Sequence, residues 1–256
     1  MKKTAVIYGM GAIGKAVALA LNEADMNLVL LDRDLNEAKH VLAALPDHTH
    51  AVAFSCDPLD ITSIETVIEK AENLFGSIDA LFNGDLHIQR KKAKEVTDTS
   101  FTTSFQSNVL AYFHLARTCA AVMARSGGGR IVNLSSVHSE VADGFHLEYA
   151  AASAAINAMT RELAVSYWKD NIQVNGVMTA FVDGQFPDAL DMDQRQKPEQ
   201  ISLLGRRITP EDIARTVRFL MTSHTKIING SVLRADAGYL TTQYRVGDTP
   251  FTKITG

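Results

Sequence analysis

Apolar segments that fit buried strands alternate along this chain with amphipathic patterns that fit helices, and this alternation restricts the fold more than any other feature. The apolar segments, all of them short, lie at residues 4–8, 27–31, 51–54, 78–82, 130–134, 172–177 and 232–233. Between them, apolar residues recur at helical spacing near 13–21, 61–75, 104–125 and 149–169, and again from Pro210 onwards. Strands that are apolar on both faces are typical of a parallel sheet that helices cover on both sides. The sequence therefore predicts an α/β protein built on a doubly wound parallel sheet.

The number of domains does not follow from the length, because 256 residues suffice for one large domain or two small ones. No linker, internal repeat or low-complexity tract interrupts the alternation. A stretch rich in Asp, Gln and Pro falls within residues 183–205 and is predicted as a lid, while residues 239–256 extend past the last predicted strand. We therefore expect a single domain over residues 1–256, with a lid and a C-terminal extension.

Composition argues against several kinds of partner. A net charge of −4 and a pI near 6.1 leave no basic footprint for nucleic acid or for an anionic membrane. No segment has the run of about 18 uncharged apolar residues that a membrane span needs. The two cysteines, Cys56 and Cys119, are too few for a disulfide framework and lack metal-ligand spacing. We expect them to be reduced, buried thiols in a cytoplasmic protein.

A glycine motif follows the first predicted strand and opens the first predicted helix. Gly9, Gly11 and Gly14 form the pattern Gly-x-Gly-x-x-Gly, which lets backbone N–H groups approach a pyrophosphate at a helix N-terminus. Asp32 ends the second strand eighteen residues after Gly14, where its carboxylate can accept ribose hydroxyls and repel a 2′-phosphate. The motif predicts a Rossmann-type sheet and favours NAD over NADP, although Arg33 next to it keeps NADP open. A tight turn and a surface aspartate without any ligand would give the same pattern.

Further motifs stand in the order found in one enzyme family, and together they are more specific than the glycine motif. They are Asn83 after the fourth strand, Asn108 in a long helix, Ile131-Val132-Asn133-Leu134-Ser135-Ser136 on the fifth strand, Tyr149, Val174-Asn175-Gly176-Val177, Leu204-Gly205-Arg206 before Pro210, and Leu233-Arg234-Ala235-Asp236-Ala237-Gly238. On these residues the chain resembles the short-chain dehydrogenase/reductase family over nearly its whole length. The resemblance implies the Rossmann-type fold and a nicotinamide cofactor, which Asp32 favours as NAD.

The resemblance also implies roles for individual side chains. Tyr149 would act as general acid or base on the substrate oxygen, Ser136 would hold that oxygen, and Asn108 would organise a water relay. The family's lysine, four residues after the tyrosine, is Ser153 in this chain. An ammonium group about 4–5 Å away lowers the pKa of a phenol by roughly two to three, and without it only about 0.1% of the phenol is ionised at pH 7. The missing lysine therefore predicts impaired catalysis.

Other departures from the family pattern fall on the nicotinamide half of the expected site. The family's Asn-Asn-Ala-Gly is Asn-Gly-Asp-Leu at residues 83–86, which puts the Asp85 carboxylate beside the expected path of the cofactor. The family's Pro-Gly after the sixth strand is Thr-Ala at residues 179–180, and Asp183 and Gly184 stand where a hydroxyl residue would touch the carboxamide. The adenosine half is better preserved. The predicted cofactor-binding residues are Gly9, Gly11, Gly14, Asp32, Asp57 and Asn83.

Three histidines could reach the same cleft and replace the lysine. His138 lies two residues after Ser136, His146 three residues before Tyr149, and His87 just past the fourth strand. Histidines in such loops are more often surface or structural residues. Their spacing lacks a metal-ligand pattern, so the sequence predicts no metal site.

Three functional hypotheses remain open. The first is a catalytically impaired subunit that is the structural or regulatory partner of an active NAD-dependent hydroxyacyl dehydrogenase, such as a hydroxyacyl-CoA dehydrogenase. It would form a hetero- or homo-oligomer, a dimer or tetramer, because members resembling this chain associate through the two helices that here contain Asn108 and Tyr149. The second is an active NAD-dependent oxidoreductase on a secondary alcohol or ketone that uses Tyr149 and Ser136 without the lysine. The third is non-redox chemistry, such as elimination, on the same scaffold.

Overall fold

Parallel strands form the centre of the molecule in a computed structural model that describes residues 2–184 and 202–242. Most of the predicted lid and of the predicted C-terminal extension, residues 185–201 and 243–256, lies outside the described residues. Within the described residues the strands are β1 (Thr4–Tyr8), β2 (Asn27–Asp32), β3 (Ala51–Ser55), β4 (Ala80–Asn83), β5 (Gly129–Ser136), β6 (Ile172–Thr179) and β7 (Val232–Ala235). They pair in the order β3-β2-β1-β4-β5-β6-β7, each pair parallel, which confirms the predicted doubly wound sheet.

Helices connect the strands and cover both faces of the sheet. In the described part of the chain they are α1 (Ala12–Asn22), α2 (Leu35–Ala44), α3 (Ile61–Phe75), α4 (Asp98–Phe105), α5 (Ala111–Arg125), α6 (Leu147–Ser166), α7 (Pro210–Thr222) and the short α8 (Tyr239–Thr242). Capping side chains mark several starts: the Asp60 side chain accepts the Thr62 N–H at α3, and Thr209 forms a capping box with Asp212 at α7. No helix among the described residues is long and apolar enough to cross a membrane.

Alternate residues of each strand point to opposite faces and build two separate cores. On β1, Ala5 and Ile7 pack with α1, α2 and α7, whereas Val6 and Tyr8 pack with α3, α5 and α6. All four of these strand residues are at most 1% exposed. Because both faces are buried, a slip of one residue in register would exchange the two sets of side chains, so the apolar runs specify the register strongly.

The chain reverses its direction of winding between β1 and β4, which are neighbours in the sheet although β2 and β3 separate them in sequence. In open α/β sheets, ligands bind at this switch point beyond the carboxyl ends of the strands. Three segments end there: β1 at Tyr8, β4 at Asn83 and β5 at Ser136.

Several element boundaries differ from the sequence prediction. Helix α2 has no counterpart among the predicted helices, because only Ala38 and Val41 of its ten residues are buried and its apolar stripe is short. The helix predicted over 104–125 is instead α4, a π-helical segment (Gln106–Leu110) and α5. The helix predicted over 149–169 ends earlier, at Ser166, and a 3₁₀ turn (Trp168–Asp170) follows it.

Candidate active site

The glycine motif forms a tight turn from β1 into α1. Gly9 has φ +92°, a left-handed conformation that favours glycine. A Cβ on Gly14 would lie 1.8 Å from the Gly9 carbonyl oxygen, so the start of α1 packs directly on the turn. Gly11, in contrast, faces open space with nothing within 4 Å of its hypothetical Cβ. The turn thus leaves the first N–H groups of α1 beside an open space, which suits an anion such as a pyrophosphate.

The Asp32 side chain, at the end of the neighbouring strand β2, stabilises this turn through hydrogen bonds. Its Oδ2 accepts a hydrogen bond from the Met10 N–H (2.8 Å), and its Oδ1 accepts one from the Asp34 N–H (3.0 Å). A carboxylate has further lone pairs for ribose hydroxyls. Asp57 lies at the end of the next strand, with its Oδ1 3.9 Å from the Arg33 Nε. These residues fit the adenosine and pyrophosphate half of a dinucleotide.

Asp85 lies against the same turn. Its backbone N and Cβ would be 2.6 Å from a Cβ on Gly9, and the Tyr8 hydroxyl donates a hydrogen bond to its Oδ2 (3.2 Å). Burial and then the nearby Asp32 raise the pKa of Asp85 above its usual value. The cleft beyond it is lined by Gly11–Gly14 on one side, by Gly84, Asp85 and Leu86 on the other, and by Gly184. A partly buried carboxylate therefore borders the place where a pyrophosphate would enter.

The side chains of Asn83 and Asn108 are both fully buried and hold backbone segments in place. Asn83 Nδ2 donates to Asn133 Oδ1 (2.9 Å), so it ties β4 to β5 in the interior. Asn108, in the π-helical segment, accepts the His87 N–H (2.6 Å) and donates to the His87 carbonyl (3.0 Å). The His87 ring lies within hydrogen-bond distance of Gln89 (Nε2–Nε2 2.9 Å). Asn108 therefore clamps the loop after β4, and π-helical segments often mark functional sites.

Tyr149 and Ser136 meet at the carboxyl end of β5. Tyr149, in the first turn of α6, is 1% exposed, and burial raises the pKa of its phenol to about 12 although the nearby Ser136 and Ser153 hydroxyls lower it in part. Ser153 is also buried, and its Oγ lies near the phenol without a well-aligned hydrogen bond among the described residues. No cation takes part in setting the Tyr149 pKa. The pair is thus assembled as the family pattern implies, but its phenol is neutral.

A network of two histidines and an aspartate lies next to this pair. Ser136 Oγ is 3.1 Å from His138 Nδ1, His138 Nε2 is 3.6 Å from Asp143 Oδ2, and His146 Nδ1 is 2.7 Å from the same oxygen. The His138 ring centroid is 4.8 Å from that of His146 and 5.5 Å from that of Tyr149. Of the predicted replacements for the lysine, His138 therefore reaches both Ser136 and Tyr149, and His146 lies near Tyr149, with ring centroids 6.3 Å apart.

Asp143 is a residue that the sequence patterns did not indicate. Partial burial alone would raise its pKa, but the adjacent His138 ring and the hydrogen bonds from His146 and the Phe145 N–H hold that pKa far below the usual range. The carboxylate is therefore ionised at all ordinary pH values. The only available signal was the spacing His-x₄-Asp-x₂-His, which is informative only if the intervening loop folds back on itself.

The same three residues are the group of potential metal ligands found in the described part of the chain, with donor atoms within 4.8 Å of one another. Ligands bound to zinc at about 2.0–2.2 Å lie more than 3 Å apart in a tetrahedral site. The 2.7 Å between His146 Nδ1 and Asp143 Oδ2 is hydrogen-bond spacing instead. The geometry is that of a proton-sharing network.

A pocket opens beside the network. Its walls are largely apolar and are formed by Ala93, His138, Ala142, Asp143, Gly144, His146, Leu147 and Ala150. Such a pocket, with a few convergent polar groups at one end, is typical of a small-molecule site. The network residues His138, Asp143 and His146 line it, and the Ser136–Tyr149 pair lies behind His138.

Comparison with known proteins gives consistent relationships. Residues 9–240 match the family model described as enoyl-(acyl carrier protein) reductase. The chain is 29% identical over 239 residues to an NAD-dependent glycerol dehydrogenase of Listeria innocua, with 93% of each chain covered. It is 27% identical over 239 residues to the 7alpha-hydroxysteroid dehydrogenase of Escherichia coli K12, with 92% of this chain and 93% of that protein covered. A gluconate 5-dehydrogenase of Burkholderia cenocepacia, solved with NADP and tartrate, superposes with a TM-score of 0.87 at 24% identity, covering 94% of this chain and 96% of that chain.

Proposed function

This chain belongs to the short-chain dehydrogenase/reductase family, a family of oxidoreductases, and we propose that it interconverts a secondary alcohol and a ketone with a nicotinamide dinucleotide. The observation that carries this proposal is the assembly of the Ser136 hydroxyl and the Tyr149 phenol at the end of β5, beside an apolar pocket. Two hydroxyl groups that converge in a buried site can hold one substrate oxygen between them.

Each side chain then has a defined task. Tyr149 donates a hydrogen bond to the substrate oxygen, and Ser136 holds the same oxygen from the other side. When bound, the nicotinamide accepts or supplies the hydride. Asn108 keeps the loop after β4 in place beside the cleft through its two hydrogen bonds to the His87 backbone.

NAD is the cofactor that the adenosine half of the site supports best. The Asp32 carboxylate would repel a 2′-phosphate, and Arg33, the nearest cation, already lies 3.9 Å from Asp57. The related Listeria protein is NAD-dependent by its name, whereas the Burkholderia structure contains NADP. Asp32 therefore favours NAD, whereas the relatives favour neither cofactor.

The pocket favours an uncharged substrate with an apolar body. Its walls are largely apolar, and the ionised Asp143 at one end disfavours a substrate carboxylate or phosphate nearby. The names of the relatives include a small polyol and a steroid, so they do not indicate one substrate class.

The proposal can be tested with a panel of secondary alcohols and ketones in the presence of NAD or NADP. Turnover is followed by the absorbance of the reduced nicotinamide. We expect turnover with NAD, and a loss of at least about 100-fold in kcat for Tyr149→Phe and Ser136→Ala. Tyr167→Phe is the matched control, because Tyr167 lies at the far end of α6, and it should retain activity. Absence of turnover with both cofactors over the whole panel would contradict the proposal.

A second candidate function is a non-catalytic subunit that supports an active relative. It is favoured by the uncharged Ser153 in place of the lysine and by the partly buried Asp85 carboxylate on the glycine turn. Turnover with NAD, and the effect on a co-expressed relative, separate the two functions, while calorimetry shows whether NAD binds. A subunit of this kind binds NAD without turnover or not at all, and it raises the activity of a co-expressed family member with an intact Tyr-x-x-x-Lys.

For either function we propose that the chain self-associates or pairs with a relative through α6. Leu147 and Val165, near the two ends of this helix, are 48% and 70% exposed. Between them the exposed surface of the helix carries Ala154 and Ala158, which permit close approach of a second helix.

A further inference from the structure

The hydrogen bonds of Ser136 define where its proton lies. Ser136 Oγ accepts the His138 backbone N–H (3.3 Å) and lies 3.1 Å from His138 Nδ1. A hydroxyl has one proton and two lone pairs. With one lone pair used by the backbone, the hydroxyl can donate its proton to Nδ1 and keep its second lone pair for a substrate hydroxyl.

Asp143 sets the tautomer of His138 that this arrangement requires. Its ionised Oδ2 lies 3.6 Å from His138 Nε2, an ion-pair distance that is longer than a hydrogen bond. A carboxylate only accepts hydrogen bonds, so it favours a proton on Nε2 and leaves Nδ1 as the acceptor. His146 holds Asp143 from the other side at 2.7 Å and thereby fixes the position of the carboxylate.

Tyr149 is a poor proton acceptor in this site. Burial raises the pKa of its phenol to about 12, so that roughly one phenol in 100,000 is ionised at pH 7. The Ser153 hydroxyl carries no charge that could reverse this. The proton that leaves a substrate alcohol therefore needs another acceptor.

We propose that His138 is this acceptor: it receives the proton of the substrate alcohol through the Ser136 hydroxyl, and Asp143 stabilises the resulting imidazolium. The inference rests on the proposed function and replaces the family's lysine with a Ser136–His138–Asp143 relay. In alcohol oxidation the substrate O–H bond breaks and its proton passes to Ser136 Oγ, while the Ser136 proton passes to His138 Nδ1. A nicotinamide dinucleotide held at the Gly9–Gly14 turn and Asp32 would supply the acceptor for the hydride of the carbinol carbon, which would complete the oxidation to the ketone. Reduction follows the same path in reverse, with Tyr149 as a neutral hydrogen-bond donor throughout.

Several titratable or charged groups lie near His138 in the described part of the chain, and they fall into two sets. Asp143, His146 and Tyr149 face its ring, whereas Glu140 pairs with Arg234 at 2.6 Å and Arg90 stacks on the Phe145 ring at 3.9 Å. His138 is 7% exposed, and it borders the pocket. A proton stored there can leave through the pocket mouth at Asp143, whose side chain is 28% exposed.

The first test needs no turnover and reads the tautomer directly. Protein labelled with ¹⁵N at its eight histidines gives long-range proton–nitrogen spectra, in which His138→Gln identifies the His138 signals. We expect the neutral His138 ring to carry its proton on Nε2. A proton on Nδ1 would mean that the ring donates to Ser136, and this would overturn the relay.

The second test is the pH dependence of kcat for alcohol oxidation between about pH 5 and 9. His138→Gln should lower kcat by about 100-fold, whereas the exposed His40→Gln should change it less than two-fold. Asp143→Asn removes the charge that favours the imidazolium, so the acid limb of the profile should move to lower pH. A purely structural role for Asp143 would lower kcat and leave the limb in place, and that result would also overturn the relay.

The two proposals fail in different ways. If the wild-type protein oxidises no alcohol, the proposed function is wrong. The tautomer of His138 still shows whether Ser136, His138 and Asp143 are arranged as the relay requires. If turnover occurs but the limb does not move and Nδ1 carries the proton, the oxidoreductase function stands and the relay falls.

Discussion

Asp85 is the residue that most affects how this chain would treat a dinucleotide. Its partly buried carboxylate lies on the glycine turn and accepts a hydrogen bond from the Tyr8 hydroxyl, while the family has an alanine at the corresponding position. An ionised group there opposes a pyrophosphate at the start of α1, because two negative charges share a poorly solvated space. The glycine turn thus has the shape of a phosphate-binding site, but the Asp85 carboxylate beside it repels a phosphate group.

Replacing this carboxylate with the isosteric amide should tighten cofactor binding. We expect Asp85→Asn to lower the Kd for NAD by about tenfold at pH 7, which corresponds to about 1.4 kcal/mol. Because the pKa of Asp85 is raised, the carboxyl gains a proton at a higher pH than an ordinary aspartic acid does. Wild-type affinity should therefore rise as the pH falls towards that pKa, and the affinity of Asp85→Asn should not.

Isothermal titration calorimetry at several pH values measures both effects. Glu37→Gln, an exposed acid-to-amide change on α2, is the control for net charge and should bind NAD as the wild type does. Equal affinities of the wild type and Asp85→Asn across the pH range would show that Asp85 does not face the bound cofactor.

Sequence patterns indicated some residues of the candidate site and missed others for a physical reason. Ser136 and Tyr149 belong to motifs with fixed spacing, and His138 and His146 are close to them in sequence. Asp143 lies in a loop without regular structure, between a 3₁₀ turn and α6, and no periodicity reports where such a loop points. The direction of the His87 ring, towards Gln89, likewise depends on tertiary contacts.

At the scale of elements, the strand–turn–helix unit of β1 and α1 rests on one close contact. The Gly14 Cα packs so near the Gly9 carbonyl that Gly14→Ala would create an overlap of backbone and methyl group. Gly11 has φ −61° and ψ −175°, which any residue adopts, and its side faces the cleft. The two glycines therefore serve different purposes within one motif.

Two alanine substitutions separate these purposes. Gly14→Ala should destabilise the fold by about 3 kcal/mol and lower Tm by roughly 6–10 °C, because the backbone must shift. Gly11→Ala should leave Tm nearly unchanged but weaken NAD binding, since its methyl group enters the open space beside α1. Thermal unfolding and calorimetry on both variants provide the measurement. Similar losses of Tm for the two variants would refute the distinction.

Long, strongly patterned elements were predictable and irregular ones were not. The buried strands and helices α1, α3 and α7 follow from apolar periodicity, which packing on both sides of the sheet enforces. Helix α2 has few buried residues, and the π-helical segment between α4 and α5 needs an extra residue per turn that no pattern announces. That segment places Asn108 against the His87 backbone. Asn108 was therefore predicted as a site residue, although the π-helical segment that positions it was not.

At the scale of the whole molecule, the sheet order brings together residues that are distant in sequence. Strands β1, β4 and β5 are adjacent and parallel, so the turns after Tyr8, Asn83 and Ser136 open at the same edge. The polar side chains that follow these strands meet the N-termini of α1 and α6 there. The network around Asp143 arises at this edge because α6 begins at the end of the pocket, directly after His146.

The solvent-exposed surface of α6 is a candidate site for assembly. Leu147, Ala154, Ala158 and Val165 are exposed and separated by seven, four and seven residues, so they lie along one face of the helix. Small residues between two apolar ends allow a second helix to pack closely, and a long charged side chain in the middle would prevent this.

The assembly prediction follows from this face. We expect light scattering to find the wild type as a dimer or tetramer of the 27.9 kDa chain, and Ala158→Arg to lower that mass because a long charged side chain would replace a methyl group where the two helices approach each other. Ala43→Arg, on an exposed position of α2, makes the same change elsewhere and should leave the mass unaltered. Since the face is remote in sequence from β1 and the glycine turn, Ala158→Arg should bind NAD like the wild type. A monomeric wild type, or an unchanged mass for Ala158→Arg, would show that this face of α6 is not where copies of the chain meet.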